Sequence, residues 1–263
     1  MTVTDKIIAG VSGAVATLTF NNPERHNAMS LEMWQAVCTA VAGFAADPAV
    51  RVLVLTGAGG RAFVSGADIS KFETERASEN AVAEYERATE QAYAALLGFG
   101  KPSIALIRGF CLGGGANLAL CCDLRICNDA ARFAVPAARL GLGYGLGQVR
   151  RLVDLVGPGF AKEILLTARQ FDAAEALAMG LVNRVLPDDR IEAFVADYAE
   201  TIACNAPLTL AALKRTVDEA IKDADTRDEA LCARMVKACF DSADYREGRR
   251  AFLEKRKPRF TGA

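Results

Sequence analysis

The sequence has one histidine, one tryptophan and few aromatic residues of any kind, 7% of 263. The histidine, His26, lies between Arg25 and Asn27 in a turn with no Asp or Cys motif beside it. It therefore reads as a loop residue rather than a catalytic base, and His-based triads or metal clusters are not expected. None of the eight cysteines belongs to a C-x-x-C pair, which argues against a structural zinc site. They sit mostly in apolar runs, as buried free thiols do, and a reducing, cytoplasmic setting is expected. Charge of one sign is also lacking: 31 Lys plus Arg face 32 Asp plus Glu, for a net charge of -1. That balance speaks against nucleic acid as the principal partner. No apolar run is long enough to span a bilayer, and Met1 to Lys6 carries no signal-type apolar stretch, so no membrane partner is expected.

Apolar residues are plentiful, at 52%, and their pattern changes along the chain. Ala14 to Phe20 alternates as a strand and stops at Asn21-Asn22-Pro23. Ser30 is placed to cap a helix whose apolar stripe is Trp34, Val37, Val41 and Phe44. Strands are predicted at Val50 to Thr56, Ser103 to Ile107, Leu124 to Cys127, Arg132 to Ala134 and Leu181 to Leu186. Helices are predicted at Glu84 to Leu97, Gln148 to Val156, Pro158 to Thr167 and, behind an Asp172 cap, Ala173 to Met179. From Ile191 onward strand signals cease and four helices follow. The pattern predicts an α/β core over 1–190 and a helical C-terminal region over 191–263.

Two loops of small residues stand out. Gly113-Gly114-Gly115 separates an apolar strand from a small-residue helix, where bare N–H groups and the helix dipole favour developing negative charge. Upstream, Phe63-Val64-Ser65-Gly66-Ala67-Asp68-Ile69 has the same character. Each loop can give one N–H to a single oxygen, the design of an oxyanion hole; the glycines can also serve close helix–strand packing. The main rival is a dinucleotide fold, because Gly57-Ala58-Gly59-Gly60-Arg61-Ala62 follows a strand as G-x-G-x-x-A. Against it, Ser65-Gly66 falls where the helix should continue, and no strand ending in an acidic residue follows at the required distance. Asp123 reads as a structural hydrogen-bonding group. Arg249-Arg250 and Lys255-Arg256-Lys257-Pro258-Arg259 read as a solvated face or a phosphate contact. Tyr144, among four glycines, reads equally as a lid anchor or as a proton donor facing a pocket.

Together these segments resemble the enoyl-CoA hydratase/isomerase family, the crotonase superfamily, nearly end to end. The resemblance rests on Asn22-Pro23-Glu24-Arg25-His26-Asn27-Ala28, the two small-residue loops, Cys122-Asp123, Ala173 to Asn183, and Ala251-Phe252-Leu253-Glu254-Lys255-Arg256-Lys257-Pro258. It implies a crotonase-like spiral of β-β-α turns with a C-terminal helical trimerisation region, and a homotrimer or dimer of trimers. It implies an acyl-CoA thioester substrate, with coenzyme A entering as part of that substrate and no separate cofactor. The thioester oxygen would be held by the N–H groups of Ala67 and Gly114. Backbone near Arg25, Ala28, Ala67, Asp68 and Ile69 would hold CoA, and Phe252 and Lys255, from a neighbouring subunit, would approach its adenine and phosphate end.

The chain departs from that family at the reacting carbon. Family hydratases use two glutamates; the matching positions here are Asn117 and Ala137. Asn can donate a hydrogen bond or orient water but takes no proton near neutral pH, and Ala does neither. Tyr144 falls where a Tyr lines the pocket in methylmalonyl-CoA-type decarboxylases, and Arg139 would pair a carboxylate if it points inward. Glu73 and Glu75 are further candidates for acid–base work, and Phe72, Leu112 and Leu142 for the pocket wall. Three readings stay open: hydratase- or isomerase-like enolate chemistry, acyl-CoA decarboxylation, and a CoA-ester-binding protein with little catalysis.

Overall fold

A computed structural model describes residues 2–68 and 78–263. Ile69, Phe72, Glu73 and Glu75 lie outside the described residues.

The chain opens with an antiparallel meander, β1 (Thr2–Thr4), β2 (Ile7–Ser12) and β3 (Val15–Phe20). Helix α1 (Leu31–Ala46) follows, capped by Ser30, whose side chain accepts from the Met33 N–H; Trp34, Val37, Val41 and Phe44 are all buried, as their spacing predicts. Then one plan recurs. A buried strand of the first sheet hands over through a tight turn to a short strand of a second sheet, and a helix follows. The first round is β4 (Val52–Gly57), β5 (Ala62–Val64) and α2 (Glu79–Leu97). The second is β6 (Ser103–Ile107), β7 (Phe110–Leu112) and α3 (Gly114–Leu120). The third is β8 (Leu124–Asn128), β9 (Arg132–Ala134), the single turn α4 (Ala137–Leu140) and α5 (Leu146–Thr167). Within each sheet the successive strands run parallel, β4 to β6 to β8 and β5 to β7 to β9. The result is the expected spiral of β-β-α turns.

The spiral closes with β10 (Phe171–Asp172), α6 (Ala173–Ala178) and β11 (Arg184–Leu186). The first sheet has the order β1-β2-β3-β4-β6-β8-β11 and the second β10-β9-β7-β5. Asp172 and Glu175 form a reciprocal capping box on α6. Helix α5 is broken at Gly157 (φ 73°, ψ 165°) ahead of Pro158, so it comprises the two helices the sequence predicts.

Four helices complete the chain: α7 (Ile191–Ala203), α8 (Pro207–Ala220), α9 (Glu229–Asp241) and α10 (Ala243–Leu253). The main apolar core lies between the two sheets and α1 to α6. A smaller cluster joins α7, through Ile191, Val195, Ala199 and Ala203, to Val52, Val54, Ile104, Leu106 and Ile126 of the first sheet. The helical region beginning at 191 is therefore seated on the sheet by its first helix. Asp123 has the structural role its position suggests: its Oδ2 accepts from Ser103 N (2.7 Å), Ser103 Oγ (3.0 Å) and Lys214 Nζ (2.9 Å), tying α8 to the start of β6.

Candidate functional site

The strand-to-loop transitions after β5 and β7 bring the two small-residue loops into contact. Met29 N donates to Gly66 O (2.8 Å) and Asp68 N donates to Met29 O (2.9 Å), a parallel bridge that leaves Ala67 N–H with no acceptor among the described residues. After β7, Gly113 takes a left-handed φ of 52° and donates its N–H to Ala134 O (2.8 Å). Gly114 begins α3, so its N–H belongs to the first turn and has no intrahelical partner. Gly115 meets the other loop: a Cβ there would lie 2.1 Å from Val64 O. Of the three glycines, Gly113 answers a backbone requirement and Gly115 a packing one. Gly114 answers neither, since a Cβ there would sit at ordinary contact distance, 3.4 Å, from Trp34 and Tyr93.

A buried aromatic scaffold joins the two loops. Trp34 Nε1, on α1, donates to Tyr85 Oη (2.9 Å), and Tyr85 Oη donates to Met29 O (3.2 Å), on the segment paired with Ala67. Tyr93 Oη, on α2, donates to Gly114 O (3.3 Å), and the Trp34 and Tyr93 rings meet edge to face at 5.5 Å. Sequence reading placed Trp34 in an apolar stripe and gave Tyr85 and Tyr93 no role. The available signal was two tyrosines on one helix in a chain with one Trp and five Tyr.

Asn117 lies on the first turn of α3 and is buried, 2% exposed. Its Nδ2 donates to Tyr144 Oη at 3.0 Å, so the structure brings these two predicted residues together. Because Tyr144 Oη accepts that bond, its own proton is free to donate elsewhere. Burial raises the Tyr144 pKa, opposed by the Asn117 hydrogen bond and the nearby Arg151 charge, so the phenol is a proton donor rather than a base at neutral pH. Ala137 is buried and gives only a methyl group. Arg139 is exposed in α4 and offers no inward cation. The cation at this place is Arg151 of α5, which sequence reading passed over. Its guanidinium lies 5.3 Å from the Tyr93 ring centre, and its Nε and Nη2 are buried without a hydrogen-bond partner among the described residues.

Arg25 is exposed and ends a 3-10 turn, Pro23–Arg25, while Ala28 and Asp68 are buried. Asn27 pins this turn, donating from Nδ2 to Ala58 O (3.0 Å) and Ala62 O (2.7 Å). Phe252 is 84% exposed at the end of α10, and Lys255 follows with φ 54°. Phe252 lines an open, largely apolar groove of about 970 Å³ among α8, α9 and α10. Neither loop amide, Asn117 nor Tyr144 lines it. Leu112 is half-buried and Leu142 is exposed.

The turn after β4 leads to a strand, β5, and not to the helix that a dinucleotide motif requires. The enoyl-CoA hydratase/isomerase family model matches residues 10–263. The chain belongs to the enoyl-CoA hydratase/isomerase family. As a family member it is 36% identical to the crotonyl-CoA hydratase of Syntrophomonas wolfei, over 97% of this chain and 98% of that protein. It is 34% identical to the short-chain-enoyl-CoA hydratase of Clostridium acetobutylicum, over 96% of each. Among solved structures, an enoyl-CoA hydratase/carnithine racemase from Magnetospirillum magneticum superimposes with a TM-score of 0.93 at 37% identity, covering 99% of this chain and 97% of that one. The crotonase-type fold and membership of an enzyme family thus agree with the hydratase/isomerase pattern in the sequence.

Proposed function

We propose that this enzyme processes acyl-CoA thioesters by stabilising an enolate on the thioester oxygen with the N–H groups of Ala67 and Gly114. The observation that carries this reading is that both amides lack an acceptor among the described residues, on loops in contact with each other and tethered to one Trp34–Tyr85–Tyr93 scaffold. Preorganised donors of this kind lower the barrier because the protein need not rearrange as charge develops; losing one typically costs about 10²–10³ in rate. Backbone near Arg25, Ala28 and Asp68 holds the CoA portion. Phe252 and Lys255 reach it from a neighbouring copy in a homotrimer or dimer of trimers, an arrangement favoured by the apolar groove and the exposed Phe252 and Leu253.

At the reacting carbon, Asn117 and Ala137 stand where the family's hydratases use glutamates. One observation favours a second reading, decarboxylation: the Asn117–Tyr144 hydrogen bond supplies orientation and a proton donor but no base. Decarboxylation needs no base, because the departing carboxylate leaves its bonding electrons in the enolate, which then takes a proton. The test is mass spectrometry of the purified enzyme with crotonyl-CoA and methylmalonyl-CoA, with N117D alongside. Water addition supports hydratase-like chemistry. Loss of CO2 without hydration selects decarboxylation. CoA-ester binding with neither reaction, across longer and branched esters, would refute the enolate reading.

A further inference from the structure

The Arg151 side chain presents a chemical demand that none of the described residues meets. Its Nε and Nη2 form one edge of the guanidinium, two N–H groups pointing the same way. Both atoms are buried and neither has a hydrogen-bond partner among the described residues. Arg151 as a whole is half-buried, but two buried N–H groups left without acceptors are costly, so such an edge calls for an explanation beyond packing. No ion pair joins it to an acid among the described residues, and Glu90, on the helix that carries Tyr93, accepts from Gln148 Nε2 at 3.0 Å. The guanidinium stands over Tyr93, whose hydroxyl is bonded to Gly114 O. The Arg151 charge also acts on Tyr144, the hydrogen-bond partner of Asn117, so the unpaired edge lies beside the proposed acyl site, on the scaffold that holds the Gly114 loop.

We infer that the open edge of Arg151 receives a second carboxylate on the acyl group, so that the preferred substrates are CoA monothioesters of dicarboxylic acids. The inference rests on the acyl-CoA reading above and names its substrate class. Two parallel N–H donors match a carboxylate's two oxygens, a fit that neither an alkyl chain nor a hydroxyl reproduces. The carboxylate held is one that stays on the substrate. Pairing a departing carboxylate with a buried cation would stabilise the ground state more than the transition state and oppose its loss. Arg151 therefore selects and orients the chain, with its carboxylate away from the reacting carbon.

Calorimetric titration with glutaryl-CoA and pentanoyl-CoA, equal in chain length and differing by one carboxylate, tests this. Wild type is expected to bind glutaryl-CoA about 10- to 100-fold more tightly, the range of a charge-assisted pair. In R151M the ratio should fall to within about threefold of unity, and R151K, with the charge but not the fork, should lie between. A wild type with no preference overturns the inference while leaving the acyl-CoA reading intact. So does a preference that survives in R151M, or a variant that weakens both esters equally, which would place the contact on the CoA phosphates or on the fold. Failure of wild type to bind either ester removes the acyl-CoA reading itself. Should R151M not fold, the wild-type ratio and R151K decide.

Discussion

Gly115→Ala is the substitution that most sharply tests how the two loops are held. The added Cβ would lie 2.1 Å from Val64 O and 2.7 Å from Val64 Cβ. Ordinary contact begins near 3.4 Å, so β5 and α3 must separate by roughly 1 Å, and the obstacle is backbone rather than a flexible side chain. Overpacking of this kind costs about 3 kcal/mol, the upper end of its usual range. Alanine's helical preference returns up to about 1 kcal/mol, for a net loss of about 2 kcal/mol. Gly114→Ala is the control, since its Cβ meets Trp34 and Tyr93 only at 3.4 Å, and its stability should change by less than about 1 kcal/mol. Urea denaturation at fixed protein concentration reads both, with an unchanged m-value confirming that stability alone has moved. The same displacement shifts one loop amide against the other, so residual folded G115A should turn over about 10²-fold more slowly. Equal stability of G115A and G114A would refute the claim that the loops are locked by backbone contact.

Tyr144→Phe leaves Asn117 Nδ2 without its acceptor, and should cost about 1–3 kcal/mol of stability in urea denaturation and lower kcat more than it raises KM. Alkaline destabilisation should be steep. Burial raises the Cys111 and Cys122 pKa values and pushes those of Cys121 and Cys127 up to about 12, so above about pH 9 the unfolded chain releases thiol protons that the folded chain keeps. Stability then falls as pH rises, by up to about 1.4 kcal/mol per pH unit for each thiol, measured by denaturation under reductant between pH 8 and 10. By the same burial, thiol alkylation of the native protein at pH 8 should mark Cys204, which is exposed, and spare these four. Charges placed on the apolar groove, as in the double variant F252E/L253K, should shift sedimentation toward the monomer and weaken CoA-ester binding; an unchanged sedimentation coefficient would exclude this face from assembly.

Much of this arrangement was legible in the residues, and the parts that were not share a cause. The Ser30 cap, the Trp34 stripe, the break at Gly157-Pro158 and the Asp172 cap are local signals, and each forms as read. The strands β5, β7 and β10 were missed, although β9 of three residues was read; segments this short show little period, and their pairing depends on the neighbours the spiral brings alongside. The β1–β2 hairpin escaped because most of β2 faces solvent. Asn117 and Tyr144 were picked out one by one, but only folding shows the bond between them. Arg151 was invisible for a related reason. An arginine in a polar helical run reads as solvated, and its contact with Tyr93 comes from another helix. Arg139, the cation chosen instead, is one helix too early and faces solvent.

The central claim concerns one oxygen atom and two amides, and a crystal structure with butyryl-CoA bound tests it most directly. A saturated ester should remain intact in the site. The expected result is a thioester oxygen at about 2.7–3.1 Å from both Ala67 N and Gly114 N, the distances of an oxyanion hole. A thioester oxygen bonded to neither amide, with the acyl chain lying away from Asn117 and Tyr144, would contradict the assignment.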